Sequence, residues 1–157
     1  MPKEYRADID GLRAFAVIPV LIFHAFHALL PGGYLGVDVF FVISGFLITG
    51  ILLNEISESR FSFTNFYERR ARRILPALFA MMGTTFTVGF IILPQHELRE
   101  LGQSMLAVSA FLANVFFYIH SDYFASNSQL SPLLHTWSLA VEEQYYFVIP
   151  IVLLIFW

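Results

Sequence analysis

The chain has 157 residues, of which 57% are hydrophobic, 17% aromatic and only 13% charged, with a net charge of −3. Soluble globular domains carry about 25% charged residues, so this composition excludes an ordinary soluble domain and points to an integral membrane protein. There is no cysteine, which excludes disulfides, thiolate metal sites and a cysteine nucleophile; no nucleic-acid partner is expected.

The first segment, MPKEYRADIDGLR, is mixed in charge, and no small-residue cleavage site follows the apolar run behind it. It reads as the start of an uncleaved membrane helix rather than a removed signal peptide. Five apolar runs follow in order: Ala14–Leu30, Leu35–Leu53, Ile74–Leu93, Met105–Ile119 and about Leu133–Trp157. A membrane span needs about 20 residues, so the expected fold is an all-α, polytopic transmembrane bundle of about five helices. Pro31-Gly32-Gly33 is expected to turn the first helix into the second. Asn54–Arg73 reads as a polar, arginine-rich loop and Pro94–Gln103 as a short polar turn, while His120–Pro132 has neither Lys nor Arg. Ser131 and Pro132 suit the N-cap and first turn of the fifth helix. Gly45 and Gly50 are expected to permit close helix packing.

Positive charge sets the expected orientation. Arg60, Arg69, Arg70, Arg72 and Arg73 lie in one loop and Lys3, Arg6 and Arg13 near the N-terminus, whereas the first loop has none. The positive-inside rule then puts the N-terminus and the arginine loop in the cytoplasm. The sequence closes on IPIVLLIFW with no polar tail, so residues 1–157 read as the N-terminal half of a larger domain whose remaining helices would pack on these.

The ionisable residues of the apolar runs are the functional candidates, because such groups are costly to bury in a bilayer. Arg13 and His24 are 11 residues apart. On a helix that separation is about 1100° of rotation and about 16.5 Å of rise, so both side chains share a face. Asp10 is a local partner for Arg13 at i, i+3. Arg13 is either a snorkelling anchor or a guide for an anionic group. Asp38, six residues past Gly32, can reach the depth of His24, and a carboxylate beside an imidazole is the arrangement a general base needs. The alternative is that His24 and His27 are interhelical polar contacts. They could also chelate a metal, but no third ligand stands at a fixed spacing, and no metal site is expected.

In YERRARRILP, Arg69/Arg72 and Arg70/Arg73 form two i, i+3 pairs at the membrane mouth. Guanidinium forks match phosphate oxygens. By themselves they favour a simpler role, topology signalling and contact with anionic lipid headgroups. In PLLHTWSLAVEEQYY, a helix starting at Pro132 aligns His135, Ser138, Glu142 and Tyr145 or Tyr146 on one stripe, with Glu142 and Glu143 about 15 Å inside. At least one of these acids should then face a polar cavity or a basic partner. A helix starting near Trp137 would leave both closer to the interface.

At these residues the chain resembles the membrane-bound acyltransferase family 3, the O-acetyltransferases of bacterial surface polysaccharides. The resemblance rests on Arg13-x10-His24, GVDVFFVISGFLI from Gly36, FYERRARRILPAL from Phe66 and PLLHTWSLAVEEQYY from Pro132, in that order. It implies a bacterial inner-membrane enzyme with acyl-CoA, usually acetyl-CoA, as cytoplasmic co-substrate and no bound cofactor. It implies acyl transfer at His24 and donor handling by Arg69 and Arg72, which outweighs the lipid reading of the arginine segment. The expected reaction moves an acyl group to a hydroxyl of a surface or lipid-linked glycan. Arg13 would assist donor binding, and Asp38 or Glu142 would orient His24. Arg70, Arg73, Glu143 and His135 would support the site. The main rival is a transporter or proton relay through His24, Asp38 and Glu142, which leaves the arginine pairs unexplained.

Overall fold

The computed structural model describes residues 7–26, 28–120 and 131–156. Among these residues there are six α-helices and no strand: α1 (Ala7–Ala25), α2 (Gly36–Ser57), α3 (Phe63–Ile92), α4 (Gln95–Ser109), α5 (Ala113–His120) and α6 (Thr136–Phe156). The all-α expectation holds. Three helical segments, Gly33–Ser57, Phe63–Ile92 and Thr136–Phe156, are long and apolar enough to cross a membrane. Large apolar side chains such as Phe90, Ile91, Ile92 and Phe156 lie on the outside. A soluble protein would not leave so much contiguous apolar surface exposed.

Two compact units divide the chain, residues 1–57 and 58–157. In the first, α1 and α2 are joined through a turn and the 3-10 segment Gly33–Leu35. A Cβ on Gly36 would stand 2.1 Å from the Ala16 carbonyl oxygen, and one on Gly33 would stand 2.3 Å from that of Pro19. Only glycine permits this approach. The close packing expected of Gly50 is not found there, since a Cβ on Gly50 would meet nothing within 4 Å. Glycine allows close contact only where the helices converge, and here they converge at the turn.

In the second unit, Leu78 and Met82 of α3, Leu101 and Val108 of α4, Ala113 and Phe117 of α5, and Leu133 and Ala140 form one buried core. Three boundaries differ from the sequence reading. The expected arginine loop is mostly helix, because α2 runs on to Ser57 and α3 begins at Phe63, with Ser62 as N-cap accepting from the Asn65 amide at 3.5 Å. Good helix formers such as Glu, Arg and Ala carry the helix through this polar stretch. The expected polar turn 94–103 is the start of α4, and the fourth run is broken between Ser109 and Ala113. At the break Phe111 has φ 55°, and the Leu112 amide donates to the Ala107 carbonyl at 2.8 Å. The last helix starts at Thr136, not Pro132. The amides of Leu134, Thr136 and Trp137 donate to carbonyls three residues back, which makes residues 131–135 a succession of tight turns. Most of the 120–132 connection lies outside the described residues, as does His27.

Candidate active site

Both Arg13 and His24 belong to α1, as their spacing predicts. The His24 ring is exposed, and its Nδ1 lies 2.8 Å from the Val20 carbonyl oxygen one turn earlier. A carbonyl only accepts, so Nδ1 carries the hydrogen and Nε2 of the neutral ring keeps its lone pair. The edge of Phe23 packs on the imidazole, with ring centroids 5.4 Å apart. The backbone therefore does the orienting that a carboxylate was expected to do. Asp38, in the first turn of α2, is exposed, and among the described residues no hydrogen bond or ion pair joins it to His24. Arg13 is half-buried and 3.8 Å from Asp10, and its Nε is buried without a hydrogen-bond partner among the described residues.

The arginines of the second unit sort onto two faces of α3. Arg69, Arg72 and Arg73 are exposed, whereas Arg70 turns inward. Positions i, i+3 and i+4 share a helix face, so the exposed three form one cationic surface. Arg72 is bridged to Glu68 at 2.6 Å, one turn earlier on the same helix. Arg70 lies over the rings of Phe66, 6.0 Å from the centroid, and Tyr146, 5.5 Å from the centroid.

α6 runs antiparallel to α3. Tyr67 stacks on Phe147 with centroids 5.3 Å apart, Arg70 meets Tyr146, and Met81 meets His135, whose Nε2 is 3.2 Å from the methionine sulfur. Tyr146 is 10 residues into a 21-residue helix, or about 15 Å along an axis of about 31 Å. The sequence reading set the arginines at the membrane mouth. The side-chain contacts place Arg70, in the polar first turns of α3, beside Tyr146 in the middle of α6.

Glu142 and Glu143 differ in their surroundings. Glu142 accepts the hydroxyl of Tyr146, one turn on. Glu143 is buried, at 6% exposure, and its Oε1 has no hydrogen-bond partner among the described residues. With α6 starting at Thr136, Glu142 lies only six residues, about 9 Å, inside it. His135 precedes the helix and so lies off the expected stripe. The sequence reading passed over Gln144 and Asn114. Their amides bond reciprocally at 3.0 Å, and Gln144 also donates to the Phe111 carbonyl at 2.9 Å, which satisfies the break between α4 and α5. Two amide side chains inside apolar runs were the available signal.

These features define a helical membrane protein with an oriented, exposed imidazole on its first helix and a cationic face on its third. The chain belongs to the acyltransferase domain family, whose profile matches residues 6–157. It is 39% identical over 156 residues to the peptidoglycan O-acetyltransferase OatA of Listeria monocytogenes, covering 98% of this chain and 25% of that protein. It is also 39% identical over 153 residues to the O-acetyltransferase OatA of Staphylococcus aureus, covering 96% of this chain and 25% of that protein. The chain thus spans about a quarter of the length of the curated relatives it matches. No solved structure matches it significantly.

Proposed function

We propose that this chain is part of a membrane O-acyltransferase that moves an acyl group, acetyl in the simplest case, from acyl-CoA to a hydroxyl of a cell-wall glycan such as peptidoglycan. The observation that carries the reading is the His24 ring, tied through Nδ1 to the Val20 carbonyl with Nε2 left basic and exposed. In the proposed step Nε2 takes the proton of the acceptor hydroxyl as its oxygen attacks the thioester carbonyl. The carbon–sulfur bond then breaks, and the thiolate of CoA leaves and recovers a proton. Relay through an acyl-imidazole is the two-step version of the same exchange.

Arg69, Arg72 and Arg73 would hold the donor's phosphates, since exposed guanidinium forks on one helix face suit clustered phosphate oxygens. Arg13 would assist donor binding. Family membership and the peptidoglycan O-acetyltransferase relative support the acyl chemistry and the glycan acceptor. In a bacterial inner membrane the N-terminus and the link at residues 58–62 would face the cytoplasm, where acyl-CoA is made; a reporter fused in that link is expected to read cytoplasm. The reaction is tested by supplying radiolabelled acetyl-CoA to membranes carrying the intact protein. Label is expected in an alkali-labile ester on glycan, and glycan free of label would contradict the proposal.

A further inference from the structure

A guanidinium and a carboxylate are turned into the same apolar packing between α3 and α6. Glu143 is 6% exposed, and neither its Oε1 nor the Nε of Arg70 has a hydrogen-bond partner among the described residues. Arg70 is nonetheless held in place. It lies over two rings, Phe66 one turn back on its own helix and Tyr146 on the other. Either cation is attracted to such faces, but only the planar guanidinium can also lie flat on them. Tyr146 is itself fixed by its hydroxyl bond to Glu142, and Tyr67 stacks on Phe147 one turn away. The Arg70–Tyr146 and Tyr67–Phe147 contacts join the arginine-bearing turns of α3 to the same stretch of α6.

Arg70 sits between Arg69 and Arg72, which are exposed. Whatever fixes the rotation of α3 at Arg70 fixes where its neighbours face, because one residue turns the helix by about 100°. We infer that Arg70 is a positioning residue, locked against the rings of Phe66 and Tyr146, which holds Arg69, Arg72 and Arg73 in register toward an anionic ligand. This inference rests on the proposed donor role of that face.

The test uses the intact protein in membranes, with radiolabelled acetyl-CoA as the probe for equilibrium binding. Arg70→Leu is expected to weaken binding by roughly 10-fold, since it removes the cation over the two rings and frees α3 to turn. Adding Glu143→Leu is expected to restore binding to within about threefold of wild type, because it removes the buried acid and lets apolar side chains fill the packing between the two helices. If Arg70 touched the ligand itself, the second substitution would not rescue. Absence of rescue, or wild-type binding in Arg70→Leu, would overturn the inference. Should Arg70→Leu fail to accumulate, Arg70→Lys keeps the charge and loses the planar stack; it is expected to weaken binding several-fold, and unchanged binding would overturn the inference. The triple variant Arg69→Ala/Arg72→Ala/Arg73→Ala tests the underlying reading separately. Unchanged binding there removes the donor role of the face, whatever the Arg70 variants do.

Discussion

His24 in the first unit and Arg70 in the second are both ionisable side chains on apolar helices, and they are held in opposite ways. The ring of His24 is bonded to the backbone of its own helix and is otherwise exposed. The guanidinium of Arg70 is half-buried and lies over aromatic rings of two helices. A group that reacts needs a free lone pair and room for substrate, which a single backbone bond leaves open. A group that positions needs contacts on several sides. Ionisable character therefore marks both roles, and only the number and source of the contacts separates them.

The comparison can be broken by stability measurements on detergent-solubilised protein. Arg70→Leu should show the largest effect, about 2–3 kcal/mol lost, because the cation over the Phe66 and Tyr146 rings disappears beside a buried acid. His24→Asn should leave thermal unfolding almost unchanged. Equal destabilisation by the two would erase the distinction. Next comes Gly36→Ala, whose methyl would stand 2.1 Å from the Ala16 carbonyl. Overpacking of this kind costs about 1–3 kcal/mol. Gly50→Ala, where a Cβ meets nothing within 4 Å, should be neutral or slightly stabilising, and a large loss there would refute the assignment of the close helix contact.

Gln144→Leu strips the Phe111 carbonyl and the Asn114 amide of their partner. It is expected to cost about 1–3 kcal/mol, and it should leave donor affinity alone. The smallest effect belongs to Glu68→Gln. It removes an exposed pair with Arg72 that is worth less than about 1 kcal/mol. Because Glu68 occupies a guanidinium that the donor would use, donor affinity should rise slightly, and a fall in affinity would contradict the proposed face.

The sequence made the helical membrane class legible, because charge was sparse and the apolar runs were long. It also made Arg13 and His24 legible as one helix, since their separation is close to a whole number of turns. It did not reveal the break at Phe111, where neither glycine nor proline stands and the left-handed residue is aromatic. That conformation costs about 1–2 kcal/mol and is offset by long-range bonds from Gln144, which no local pattern encodes. The start of α3 was missed for a related reason. Eleven residues from Phe63 to Arg73 read as loop because they are polar, yet they extend a helix whose inward face is Phe66 and Arg70. Polarity located the charges, but only the packing of α3 along α6 separated Arg70 from Arg69, Arg72 and Arg73.

The central claim is that the basic Nε2 of His24 performs the transfer. Single-turnover transfer from radiolabelled acetyl-CoA to glycan acceptor, in membranes holding equal amounts of wild-type and His24→Asn protein, measures it most directly. Asparagine keeps a polar contact but takes no proton near neutral pH. The account predicts a fall in rate of roughly 10²–10⁴-fold with acetyl-CoA binding unchanged. Transfer by His24→Asn at the wild-type rate, or a fall explained wholly by lost donor binding, would contradict it.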